Sequence, residues 1–164
     1  MAPSKLLRSE RNTLITLIGL FWSLLAVTAL VKRGNVRATN SALDFAMLGL
    51  ATFRMGRLIA FDKVAEPLRA PFTKTVPDDS GAGETVVAAG RGPREKIGEL
   101  LSCPICAGTW IAAGLVYGLQ FFPTPTRLLI TIMSAIGFAE VINAATEALT
   151  WAGEKQRYEV GDSH

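Results

Sequence analysis

The sequence predicts an all-α integral membrane protein with about four transmembrane helices, over residues 12–31, 42–61, 105–122 and 127–151. Three observations carry this. Of 164 residues, 49% are apolar and only 19% are charged, against about a quarter charged in an ordinary soluble domain. Mean hydropathy is positive, at +0.31. The charges are also segregated, with long uncharged runs alternating with short charged connections, so that charge collects where water is available.

The first run, 12–31, holds twenty residues without a charge. At about 1.5 Å per residue it reaches roughly 30 Å, the hydrocarbon thickness. Lys5, Arg8 and Arg11 precede it, and Lys32, Arg33 and Arg37 follow. A cleaved signal peptide is its rival reading. The basic cluster beyond the run opposes export, and the run exceeds a usual signal core, which favours a retained anchor. The second run, 42–61, is apolar apart from Asp44, Arg54 and Arg57. Both arginines lie near its end, where they can snorkel to the headgroups; an interfacial or re-entrant helix is the alternative.

From Asp62 the character changes. Residues 62–69 suit a short amphipathic surface helix, and 73–92, punctuated by Pro77, Gly81, Gly83, Gly90 and Gly92, reads as a loop with room for a strand at 85–89. The third run, 105–122, is uncharged, and Gly114 and Gly118 share one face, allowing close approach of a neighbouring helix. The fourth, 127–151, carries Glu140 and Glu147 in an otherwise apolar stretch. Three segments follow: an anchor helix and loop over 1–41, a membrane domain over 42–151, and a disordered tail over 152–164.

Basic residues in the connections set orientation. With four spans, the two termini and the 62–104 connection hold eleven Lys and Arg, and the opposite side holds four. Both termini and the long connection are therefore expected in the cytoplasm, in a multi-pass membrane protein. The net charge of +3 is small and sits beside apolar runs. That distribution fits anionic headgroups and excludes a nucleic-acid surface.

Cys103-Pro104-Ile105-Cys106 is the most pointed motif. Pro104 suits the first helical turn, and a thiol there faces the positive end of the helix dipole. Four readings stand: structural residues at a crowded helix start, a dithiol–disulfide switch, a site for zinc or another thiophilic metal shared between subunits, and S-acylation. With two cysteines and one histidine, one chain cannot supply a complete four-ligand Cys/His zinc site.

Charge within the apolar runs is the second constellation. Glu140, Asn143 and Glu147 share a face, which must look into the bundle or a wet cavity. Counted from the inner ends, Arg57 and Glu147 lie about 6–8 Å deep and Arg54 and Asn143 about 12 Å deep. Matched depth predicts pairing of Arg57 with Glu147, with Arg54 and Glu140 as a second, less well matched pair.

The stretch from Phe53 to Asp62 (FRMGRLIAFD), then Leu68-Arg69-Ala70-Pro71-Phe72, then Gly98 to Trp110 (GELLSCPICAGTW), resembles an uncharacterised family of bacterial membrane proteins. That family is a YjcA-like sporulation-protein domain of unknown function. The resemblance covers about residues 42–150. It implies a membrane fold and no mechanism. It also implies that Arg54, Arg57, Asp62, Arg69, Cys103, Cys106, Gly108 and Trp110 form one cytoplasm-facing site.

The expected role is an accessory or assembly subunit of a membrane complex rather than an enzyme, with no resident cofactor. Its partners would be the lipid bilayer and either another membrane protein or a second copy of the chain. A redox-active or metal-binding protein using Cys103 and Cys106 is one alternative. A small ion- or proton-coupled carrier with Glu140 on its path is the other.

Overall fold

The computed structural model describes residues 3–31, 41–78 and 83–161, with side chains described over 11–31, 41–78 and 83–155. The basic cluster Lys32, Arg33 and Arg37 lies outside the described residues, as does His164. The elements are α1 (Pro3–Val31), α2 (Ala42–Phe61), a 3-10 turn (Lys63–Ala65), α3 (Glu66–Arg69), β1 (Thr73–Pro77), β2 (Glu84–Ala88), α4 (Pro93–Ser102), α5 (Pro104–Phe121) and α6 (Pro123–Gly161). Three helical stretches are long and apolar enough to cross a membrane: Arg11–Val31, Pro104–Phe121 and Pro123–Lys155. They are compatible with a membrane protein. Helix α2 has the length, at 20 residues, but Asp44, Arg54 and Arg57 interrupt its apolar character.

Helices α2, α5 and α6 form a three-helix bundle. Its apolar centre is Ala51, Leu115 and Ile130, packed against Met47, Leu48, Met55, Ile111, Leu119 and Met133. Small residues let the backbones approach. A Cβ on Gly56 would stand 2.7 Å from the Pro104 carbonyl oxygen of α5, and one on Gly137 of α6 would stand 2.7 Å from the Leu50 carbonyl oxygen of α2. The same contacts set direction. Gly56 lies at the start of α5, so these two helices run antiparallel. Gly137 lies against Leu50 and Arg54, and Glu140 against Arg54 and Arg57, so α2 and α6 run parallel. The glycine pair expected at 114 and 118 does not make a helix seam. Gly114 has nothing within 4 Å of a built Cβ, whereas Gly118 meets the Thr126 side chain in the first turn of α6.

The connection between α2 and α5 is more ordered than the expected loop. Its strands pair antiparallel, in register from Thr73 opposite Ala88 to Pro77 opposite Glu84. Gly92, at φ 66°, turns the chain into α4, whose first residue is Pro93. The missing N–H of a proline costs nothing at that position. Helix α4 packs on the hairpin so closely that a Cβ on Gly98 would collide with the Phe72 carbonyl oxygen. The Arg94 Nε closes the same joint by donating to the Pro71 carbonyl oxygen at 2.5 Å.

Two helices exceed their expected limits. Helix α1 begins at Pro3, and α6 starts at Pro123 and continues to Gly161, through most of the segment read as a tail. The α1 stretch from Arg11 to Val31 contains no buried residue. Its Phe21 ring meets Trp110 of α5 edge to face, with centroids 5.6 Å apart.

Candidate functional site

The motif residues converge where α2 ends. Ser41 caps the other end of this helix, its hydroxyl accepting from the Asp44 N–H at 3.0 Å. Asp62 forms the C-cap, and its N–H donates to the Leu58 carbonyl oxygen. The last carbonyls of a helix lack intrahelical partners, and here a buried arginine supplies them. Arg69 Nη1 donates to the carbonyl oxygens of Asp62 at 2.6 Å and Ile59 at 3.3 Å. Only 4% of Arg69 is exposed. A cation at a helix C-terminus also complements the dipole. The chain then folds back on Arg69, whose carbonyl oxygen accepts from the Phe72 N–H at 2.8 Å and the Thr73 hydroxyl at 3.1 Å.

Arg54 bridges this cap to α6. Its Nη2 donates to Asp62 Oδ2 at 2.5 Å, and its Nη1 lies 3.1 Å from Glu140 Oε1. The Arg54 side chain is 15% exposed, so both carboxylates compensate a largely desolvated charge. Arg57 approaches the same glutamate, Nε to Oε2, at 3.8 Å. Its guanidinium stands 5.7 Å from the ring centres of both Phe53 and Phe61, within the range of cation–π attraction. One face of α2 thus presents two arginines to a single glutamate of α6.

This corrects the depth-matched assignment. Arg57 pairs with Glu140, and no ion pair joins it to Glu147 among the described residues. The Arg54–Glu140 pair is present. Asn143 and Glu147 are exposed, as is all of α6 from 141 to 155. Counting inward from Trp151 misplaced them, because α6 continues past the end of α2. Gly108 and Trp110 make other contacts. A Cβ on Gly108 would make an ordinary 3.7 Å contact with Thr52, and Trp110 faces α1.

The cysteines occupy the start of α5. Cys103 is the N-cap, and its Sγ accepts from the Cys106 N–H at 3.3 Å. A hydrogen bond from the Cys106 side chain, with backbone donors behind it, holds the Cys103 thiol below its ordinary pKa. Both thiols are free; Cys103 is half-buried and Cys106 exposed. Among the described residues, no group of three or more His, Cys, Asp or Glu could hold a metal ion. Two thiolates from one chain are half of a tetrahedral thiolate site, so the shared-metal reading needs a second copy.

Sequence reasoning missed the flanking rings of Phe53 and Phe61 and the close-approach glycines 56, 98 and 137. A signal for four of these was present, since Phe53, Gly56, Phe61 and Gly98 sit inside the quoted motifs.

Residues 47–146 match the family described as "Protein of unknown function (DUF1360)", and the chain belongs to that family. The chain is similar to "Sporulation protein YjcA" of Bacillus subtilis (strain 168), 39% identical over 105 residues, which covers 62% of this chain and 89% of the relative. It is also similar to "UPF0713 protein YngL" of the same organism, 36% identical over 107 residues, covering 64% of this chain and 79% of the relative. No solved structure matches. The matched family region begins inside α2, so α1 lies outside it.

Proposed function

We propose that this family member is a multi-pass protein of the bacterial cytoplasmic membrane, serving as an accessory or assembly subunit of a larger membrane complex. The observation that supports this most is the inward closure of the motif charges. Arg54, Asp62, Arg69 and Glu140 are engaged with one another or with the α2 carbonyls, so they brace the bundle rather than line an open cleft. What remains outward is largely apolar helix surface, together with the hairpin and the polar end of α6. A carrier with Glu140 on its path is the weaker reading, because two arginines already engage that carboxylate.

In this proposal α2 is a fourth span, its desolvated charge compensated inside the protein, and both termini and the 62–104 connection are cytoplasmic. The α2–α3 joint supports a membrane boundary there. Val64 and Leu68, one turn apart, are 83% and 76% exposed, while Ala65 and Arg69 on the other face are buried. Such a face fits the headgroup boundary.

Co-purification from bacterial membranes in mild detergent, with identification of bound proteins, tests the role. A stoichiometric membrane-protein partner or a defined homo-oligomer supports it. A lone monomer that carries out ion- or proton-coupled flux in liposomes contradicts it. For topology, Glu84→Cys and Phe122→Cys are placed singly in a chain lacking Cys103 and Cys106. An impermeant thiol reagent on intact cells should reach position 122 and spare 84; the reverse pattern overturns the orientation.

A further inference from the structure

We propose that Cys103 and Cys106 form a reversible thiol–disulfide exchange site, whose substrate is a disulfide presented at the start of α5. Capping alone does not explain these residue types. A sulfur is a weaker acceptor than the oxygen of Ser, Thr, Asp or Asn, the residues that favour an N-cap. Burial does not explain Cys106, which is exposed, whereas an inert structural cysteine is among the most buried residue types. A four-sulfur metal site needs another chain, while dithiol exchange needs only these two groups.

The geometry suits the chemistry. Cys103 Sγ faces the first N–H groups of α5 and accepts from one of them, so negative charge on this sulfur is stabilised where it resides. Pro104, between the two cysteines, fixes the first turn without wasting a donor. Cys106 stands three residues on. That spacing in a helical first turn brings the two Cα atoms to about 5–6 Å, within disulfide range.

The exchange balances as two displacements. The Cys103 thiolate attacks one sulfur of the substrate disulfide, that S–S bond breaks, and the departing sulfur leaves as a thiolate that takes a proton from water. Cys106 then loses its proton to water and attacks Cys103. The mixed disulfide breaks, the second substrate thiolate leaves, and a Cys103–Cys106 bond forms. The chain is oxidised by two electrons and the substrate disulfide is reduced to two thiols; the reverse sequence restores the dithiol.

The full-length protein in nanodiscs, equilibrated at pH 7 with graded mixtures of glutathione and glutathione disulfide, then acid-quenched and alkylated for mass spectrometry, tests this. Wild type should pass reversibly from dithiol to an intramolecular disulfide. Cys106→Ser should retain glutathione on Cys103. In the single-cysteine variants, Cys103 should alkylate faster at neutral pH than Cys106, because the α5 N–H groups still face its sulfur. A parallel arm with insulin identifies the source of the substrate: reduction of insulin points to protein disulfides, and reaction with glutathione disulfide alone points to small ones. Cys103→Ser keeps a capping oxygen, so a folded but exchange-dead variant separates chemistry from scaffold. Four results would overturn the proposal: both thiols surviving excess glutathione disulfide, each cysteine retaining its own glutathione unresolved, chelator-releasable metal bridging two copies, or a thioester-linked acyl chain on either residue.

Discussion

Helices α1 and α2 invert the relation between hydropathy and burial expected of a soluble protein. The apolar run of α1 is uncharged from Asn12 onward, yet none of its residues is buried. Helix α2 carries Asp44, Arg54 and Arg57, yet it buries Ala51, Gly56 and Ala60 and packs against both α5 and α6. In lipid, hydrophobicity gives one helix no reason to prefer another over the surrounding tails. Small residues and polar pairs do. Helix α2 uses both, whereas α1 touches the rest of the chain through the Phe21–Trp110 contact and α4, and its Gly19 has no neighbour within 4 Å of a built Cβ. The family boundary falls along the same line, with α1 outside it.

The contrast can be broken from the α2 side first. Glu140→Gln removes the shared partner of Arg54 and Arg57. Stranding a fully buried charge costs about 3–5 kcal/mol, and with a third of Glu140 exposed the loss should be about 2–3 kcal/mol, read as a lowered Tm in detergent. Arg69→Gln takes the guanidinium from two carbonyls at the end of α2, of which the Asp62 oxygen keeps the Ala65 N–H. Hydrogen bonds to a charged group contribute about 1.5–3 kcal/mol, so a loss near 2 kcal/mol is expected, with faster amide exchange around Ile59 to Asp62.

Smaller effects sharpen the comparison. Gly137→Val pushes α6 off the Leu50 carbonyl and should cost about 1–3 kcal/mol. Gly114→Ala, where space is open, should be neutral or stabilising by up to about 1 kcal/mol. Trp110→Ala should do the least to the bundle. It loses an aromatic pair worth about 0.5–1.5 kcal/mol, and the measured sign of this is easier protease access to α1 with the three-helix bundle intact.

The sequence made the apolar helices legible and left the joints obscure. Pro104 at the first turn of α5 was readable because the proline position has one physical meaning there. The same rule applies at Pro93, yet the neighbouring Gly90 and Gly92 suggested a loop, and helix α4 went unread. The hairpin was half visible: β2 shows in its β-branched run, while β1 ends on Pro77. Arg54 with Glu140 was recoverable from composition, since an acid within a long apolar run needs a cation. Assigning Glu147 to Arg57 failed for a geometric reason. Helix α6 runs beyond α2, so equal distance from the apparent ends is not equal height. Arg69 was singled out by the motif, but its role as a cap depends on the chain folding back after Asp62, which no periodicity encodes.

The central claim is that Arg54 and Glu140 act as one unit joining α2 to α6. A double-mutant cycle tests it most directly, using thermal unfolding of wild type, Arg54→Gln, Glu140→Gln and the double variant in one detergent. The double variant should be less destabilised than the two single losses added together, with a coupling of about 1–2 kcal/mol for this partly exposed pair. Additive losses would contradict the account and leave the 3.1 Å contact without energetic meaning.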